Sequence, residues 1–233
     1  RDEAVVSVFD SGYILGDGVW EGLRVSNGGV AFLPEHLKRL YAGAKTIDMD
    51  IGLTKDELTA RLMDCLKANG IAKGVTLFTV HQRRTGPAEQ DQKLNSHSKL
   101  NCILACIQAD KAGADEALML DADGFVATCN STHFFIVRDG EVWTSPPDYC
   151  LGGITRGNII RVCREAGIPV FEKRFSLFDV YSADEAFITG TFAGLTPVRE
   201  VDGRTIEHVG GPVSQRVSGL YKQLAAKSLT PIS

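Results

Sequence analysis

The sequence predicts an α+β fold in two subdomains, and three observations carry that prediction. Strands and helices occur in mixed order, without the regular alternation that builds a doubly wound parallel sheet. Turns at Asn27-Gly28-Gly29, Asp123-Gly124 and Asp139-Gly140 join apolar runs as antiparallel hairpins. One polar stretch, Arg84 to Asn95, holds Gly86-Pro87 and few apolar residues, the composition of a linker. The boundaries that follow are a small N-terminal α/β domain over 1–88, a linker over 89–98 and a larger C-terminal domain over 99–233.

Val5 to Asp10 reads as an extended opening segment, followed by a glycine-rich turn and a strand-like run from Val19 to Val25. Val30 to Leu33 returns from the first hairpin. Pro34, its φ preset and its missing N–H harmless at a helix start, opens a helix with Leu37, Leu40, Tyr41, Ala44 and Ile47 on one face. Thr54 caps a second helix, with Glu57 in capping-box spacing, Leu58, Leu62, Cys65 and Leu66 inward, and Gly70 as its end. Val75 to Val80, β-branched and aromatic, is a strand. Leu100 to Ala112 is a helix; Glu116 to Leu120 pairs with Phe125 to Thr128, and Phe134 to Val137 with Glu141 to Thr144. Strands at Val170 to Lys173 and Glu185 to Thr189, a turn at Asp202-Gly203 and a helix from Val213 to Leu224 follow.

With 233 residues the chain can bury a substantial core, and a net charge of −4 favours neither nucleic acid nor an anionic membrane as partner. It has no run of 18 apolar residues, and Arg1-Asp2-Glu3 does not resemble a leader. The six cysteines lack metal-ligand spacing. Cys102 and Cys106, one helical turn apart on an apolar face, read as buried thiols, which fits a reducing cytoplasm. Lys173-Arg174 reads as solvated surface.

The chemistry centres on Leu151-Gly152-Gly153-Ile154-Thr155-Arg156, where two glycines end an irregular segment and a helix begins. Its apolar face is Ile159, Ile160, Val162, Cys163 and Ala166, and Gly167 stops it. Glycines let a ligand approach the backbone, and the first helical turn offers unpaired N–H groups at a positive dipole end. Thr155 adds a hydroxyl, so the stretch suits an anion; the plainer alternative is a Gly-Gly turn before an ordinary helix. Arg39, on the first helix, reads by itself as a solvated side chain.

Several motifs then occur in one order: Gly16-Asp17-Gly18-Val19-Trp20-Glu21-Gly22-Leu23-Arg24, His36-Leu37-Lys38-Arg39-Leu40, Ala114-Asp115-Glu116-Ala117-Leu118, Gly153-Ile154-Thr155-Arg156, Ala183-Asp184-Glu185, and Thr189-Gly190-Thr191 through Thr196-Pro197-Val198 to Asp202-Gly203. Over nearly the whole chain this resembles the class IV (fold type IV) pyridoxal-phosphate enzymes: branched-chain aminotransferases, D-amino acid aminotransferases and aminodeoxychorismate lyases. The resemblance implies the two-subdomain fold type IV architecture, with one further strand ahead of Arg1 and the cofactor in the C-terminal domain. It implies pyridoxal 5′-phosphate as cofactor, an amino acid and a 2-oxo acid as substrates, and a homodimer with the Tyr13-Ile14-Leu15 and Trp20 region at the contact. The 5′-phosphate is expected at Gly153, Ile154, Thr155, Thr191 and Arg39, with Leu151 on the ring face. Trp20, Arg83 and Arg84 are expected at the substrate pocket, with His81 nearby.

Two departures from the family pattern bear on catalysis. Counted without gaps from Ala114-Asp115-Glu116-Ala117, the position of the lysine that attaches the cofactor falls near Asn95. Lys99, in Ser98-Lys99-Leu100-Asn101, is the first candidate for that lysine and Lys93 the second. Thr128 stands where relatives carry the glutamate that pairs with the ring nitrogen, and a hydroxyl cannot offset a positive charge there. Amino-group transfer is therefore expected from the resemblance, with a lyase, or a relative that kept the cofactor and lost the chemistry, as alternatives.

Overall fold

The structure is a computed structural model that describes residues 10, 12, 16–23, 25–26, 29–65 and 75–231. The extended segment expected over 5–9, Tyr13-Ile14-Leu15, the turn residues Asn27-Gly28, and Leu66 and Gly70 lie outside these, as does the side chain of Cys65. In chain order the N-terminal elements are β1 (Val25–Ser26), β2 (Gly29–Ala31), α1 (Leu33–Thr46), α2 (Lys55–Cys65) and β3 (Val75–Thr79). There follow α3 (Leu100–Lys111), β4 (Glu116–Leu120), β5 (Val126–Cys129), β6 (His133–Arg138) and β7 (Glu141–Thr144). After a short 3-10 turn come α4 (Ile154–Glu165), β8 (Val170–Glu172), α5 (Leu177–Tyr181), β9 (Glu185–Gly190) and β10 (Gly194–Val201). The chain closes with β11 (Arg204–Thr205), α6 (Pro212–Lys227) and β12 (Leu229–Pro231).

A small sheet runs β1-β2-β12, and the large sheet runs β5-β4-β3-β10-β9-β6-β7-β8, with β11 on β10. β3 lies parallel to both β10 and β4, and β7 parallel to β8, while the remaining pairs are antiparallel. Asp139 and Gly140, at φ 50 and 77°, give the left-handed pair that turns β6 tightly into β7. Asp202 and Gly203 do the same between β10 and β11 at φ 54 and 75°.

Alternation along β6 feeds a core on each sheet face. Phe134 and Ile136 join Leu77, Leu118, Val198 and Val201, whereas Phe135 and Val137 join Ile159 and Cys163 of α4 and Val217 and Tyr221 of α6. Near the N-terminus, Leu33 and Leu37 of α1 meet Val30, with Leu58 and Leu62 of α2 against them. The capping box forms: Thr54 N donates to Glu57 Oε2 at 2.8 Å, and Glu57 N to Thr54 Oγ1 at 3.2 Å.

Three expectations change. Of the described residues of Val19 to Val25, Val19 makes a single bridge to Ser96 and Val25 is in regular strand pairing, while Glu21 is drawn to side chains of α1. Cys102 is buried but Cys106 is exposed. The buried stripe of α3 is Cys102, Ala105 and Ala109, and Cys106 falls beside it toward the exposed Ile103 and Ile107. The short α5, β11 and β12 are additions to the expected elements, although Ser176 N donates to Asp179 Oδ2 at 2.9 Å in a spacing the sequence displays. No helix among the described residues is long and apolar enough to cross a membrane.

Candidate active site

The Gly-Gly helix lies where β5 and β9 end and β6 begins, since His133, the first residue of β6, pairs with Thr189 of β9. Gly153 is the N-cap of α4 and no side chain caps it. The first helical bond is Gly157 N to Gly153 O at 2.8 Å, so the N–H groups of Ile154, Thr155 and Arg156 have no carbonyl within the helix to meet. His133 supports this turn from beneath. A Cβ on Gly153 would lie 2.3 Å from His133 Cε1, so only glycine allows the ring this close. His133 Nε2 lies 2.8 Å from Leu151 O, and a carbonyl only accepts, so Nε2 carries the hydrogen. Burial, with the Arg156 charge adding to it, pushes the His133 pKa down to about 3, and the ring is neutral. Thr189 shares the sheet face of His133, and its buried Oγ1 has no hydrogen-bond partner.

Arg39 reaches the same turn from α1. Its Nη1 donates to Gly152 O at 2.5 Å, while Nε and Nη2 donate to Glu21 Oε1 and Oε2 at 2.6 and 2.5 Å. His36 Nδ1 lies 2.7 Å from Glu21 Oε2, so one carboxylate clamps both side chains. Burial alone would raise the Glu21 pKa, but the hydrogen bonds from Arg39 and His36 outweigh it and the net shift is downward. The stability this carboxylate contributes is therefore present above the ordinary glutamate range and is lost as pH falls through its lowered pKa.

The two candidate lysines have different surroundings. Asn95, at the position the gapless count reaches, donates its amide to Trp20 O and accepts from Trp20 N at 3.0 Å. Trp20 Nε1 donates to Ser96 O at 3.1 Å, so this pair of segments is locked. Lys99 is the half-buried N-cap of α3, with Nζ 5.7 Å from the Trp20 ring centroid. Burial lowers its pKa; Cys102 opposes this, and the charges of Arg84 and Arg39 add to the lowering. Lys93 is exposed, its backbone N–H on Asp91 Oδ1 at 3.0 Å.

Arg84 is buried, with Nε donating to Tyr149 O at 3.2 Å and Nη1 to Cys102 Sγ at 2.9 Å. Arg83 Nη1 donates to Val80 O at 3.0 Å, and His81 is exposed. Thr191 follows β9 directly and is half-buried, as is Leu151, whereas Thr155 is buried. Thr128 is buried on β5, its hydroxyl donated to Thr132 O at 2.8 Å. Sequence reasoning gives no role to Glu21, His36, His133 or Cys102. Glu21 and His36 do fall within the ordered motifs, and that is the signal that could have found them.

Uncapped helix N–H groups and a clamped guanidinium thus meet at one turn, and a half-buried amine with a lowered pKa stands beside Trp20. Residues 18–85 and 70–201 match the family Amino-transferase class IV. The chain is 36% identical to a putative branched-chain-amino-acid aminotransferase of Methanocaldococcus jannaschii, covering 97% of this chain and 93% of the relative. It is 35% identical over its whole length to branched-chain-amino-acid aminotransferase-like protein 2 of Arabidopsis thaliana, of which it spans only 50%. The T.th. branched-chain amino acid aminotransferase complexed with N-(5′-phosphopyridoxyl)-L-glutamate superposes with a TM-score of 0.90 at 30% identity, covering 100% of this chain and 95% of that one. The chain belongs to the class IV aminotransferases, with the fold type IV architecture.

Proposed function

We propose that the chain is a pyridoxal 5′-phosphate-dependent aminotransferase that moves an amino group between an amino acid and a 2-oxo acid. The residues fit the phosphate of that cofactor: Ile154 and Thr155 supply N–H donors, Arg39 a guanidinium, and Thr155 and Thr191 hydroxyls. The cofactor supplies a reactive aldehyde carbon and an electron-withdrawing ring. Lys99 Nζ, its proton loosened by burial, attaches the cofactor and carries the proton to and from the α-carbon of the amino donor. Leu151 would cover the ring face of the cofactor, and Trp20 and Arg84 would border the substrate. Thr128 brings no negative charge, its hydroxyl being donated to Thr132 O, so it would offer the cofactor's ring nitrogen no counter-ion and transfer would be slower than with an acid there.

One observation carries this reading: Arg39, held by Glu21, donates to Gly152 O beside the uncapped start of α4. Purified protein mixed with the cofactor is expected to keep a visible absorption band through gel filtration. Arg39→Ala should weaken retention by about 1.5–3 kcal/mol, the value of a charge-assisted hydrogen bond. Wild-type protein that elutes without the band overturns the proposal. A second reading, a relative that binds the cofactor without transferring amino groups, is favoured by the engaged amide of Asn95 and by Thr128. Nothing favours the lyase.

The proposal extends to assembly and setting. Leu100, Ile103, Leu104 and Ile107 form an exposed i, i+3, i+4, i+7 stripe on α3, with Leu100 70% exposed, and we assign it to a homodimer contact. Light scattering should give twice the chain mass of 25.2 kDa, and Ile103→Glu should reduce it to one. A wild-type monomer across micromolar concentrations rules this out. A two-domain division with its linker over 89–98 belongs to the same proposal, supported by the absence of any helix or strand between β3 and α3 among the described residues. Cytoplasmic residence is supported by Cys102, Cys106, Cys129, Cys150 and Cys163, all of them free.

A further inference from the structure

Two aromatic side chains, one beside Lys99 and one next to Thr191 in the chain, stand outside every core cluster of the described residues. Phe192, in the turn from β9 to β10 directly after Thr191, is 62% exposed, and Trp20 is 42% exposed. Both rings converge on Gly22: a Cβ there would lie 3.5 Å from Phe192 Cε2 and 3.8 Å from Trp20 Cζ3. The Trp20 ring is fixed by its indole hydrogen bond to Ser96 O, and its backbone by Asn95. Its ring also stands 5.7 Å from Lys99 Nζ, so one of the two rings borders that amine.

We propose that Trp20 and Phe192 are the walls of a slot for a large, flat apolar side chain. The amino donor is then an aromatic amino acid and the product its 2-oxo acid; this rests on the aminotransferase reading. Two aromatic faces with a side-chain-free glycine between them match a ring that can stack or meet them edge-on. A donor as small as alanine leaves both rings wet. Ordering is not the obstacle, since the Trp20 ring is already fixed and Phe192 has only two side-chain torsions to lose.

The test uses cofactor-loaded protein and two unreactive carboxylates, 3-phenylpropanoate and propanoate, titrated by calorimetry with the absorption band recorded on the same samples. Phenylpropanoate should bind at least about tenfold tighter, the scale of ring contact plus buried area. Phe192→Ala should bring that ratio toward one while propanoate affinity holds, and Phe192→Tyr should preserve it. The kcat/KM ratio of phenylalanine to alanine should fall in parallel. Equal wild-type affinities, or an unchanged ratio in Phe192→Ala, overturn the slot. A lowered mass by light scattering with the ratio unchanged gives the rings to a subunit contact and also overturns it. Absence of the wild-type absorption band is a separate failure, that of the aminotransferase reading itself.

Discussion

Lys99→Ala is expected to abolish amino-group transfer while the protein still retains the cofactor through its phosphate site. The expectation rests on surroundings. Lys99 is half-buried beside Trp20, with Arg84 and Arg39 adding to the lowering of its pKa, whereas Lys93 is exposed. Loss of a positioned proton-transfer group costs about 10²–10⁴-fold in rate, and loss of the attachment point adds to that. Borohydride reduction of wild-type protein should fix the cofactor mass on the peptide containing Ser98-Lys99-Leu100, and Lys99→Ala should lose that adduct. Lys93→Ala should keep both adduct and activity. Because burial lowers the Lys99 pKa, the reactive neutral amine becomes dominant below the ordinary lysine range, and the rate should rise with pH through that lowered value. Label on the Lys93 peptide, or full activity in Lys99→Ala, would take the role away from Lys99.

Features of the fold that depend on a few neighbouring residues were legible in the sequence. Asp139-Gly140 turns where it does because both residues adopt positive φ, and the Thr54–Glu57 cap needs only its three-residue spacing. The central strand was legible as a strand but its neighbours were not. β3 pairs in parallel with β10, where Leu77 faces Val201, and no local pattern encodes that long-range choice. β12 is stabilised by β2 from the other end of the chain, which sets Leu229 opposite Ala31. Cys106 shows the limit of periodicity: the small residues Ala105 and Ala109 decide which side of α3 meets the sheet, and so leave that thiol outside.

The candidate site divides along the same line. An uncapped helix behind two glycines is a local backbone property, and the anion-binding reading of Gly153, Ile154 and Thr155 needed nothing more. Arg39 alone resembles any solvated helical arginine. Its direction comes from Glu21, whose carboxylate also holds the buried His36, and that contact exists only in the folded chain. Counting could place Asn95 at the lysine position, but could not show its amide engaged with Trp20 O while Lys99 stands beside the Trp20 ring. His133 gave no signal, because its partners are a carbonyl and a glycine, neither of which asks for histidine in particular.

Gly153→Ala should expose that hidden dependence. The new Cβ would lie 2.3 Å from His133 Cε1, 2.7 Å from Nδ1 and 3.0 Å from Nε2, so one of the two must move. The ring is not free to yield: its Nε2 holds Leu151 O, and its backbone is paired with Thr189. Relief therefore falls on the turn, which carries the N–H groups of Ile154 and Thr155 away from their positions. A loss of about 1–3 kcal/mol in stability is expected, as for overpacking of a filled interior, together with weaker cofactor retention. Gly152→Ala is the control, since a Cβ there meets nothing within 4 Å, and it should be near neutral in stability. His133→Ala removes the obstructing ring at the cost of its hydrogen bond. Combined with Gly153→Ala it should be less destabilising than the sum of the two single changes, with a coupling of about 0.5–3 kcal/mol in a double-mutant cycle read from urea melts. Strict additivity, or a harmless Gly153→Ala, would mean that the His133 ring does not set the shape of this turn.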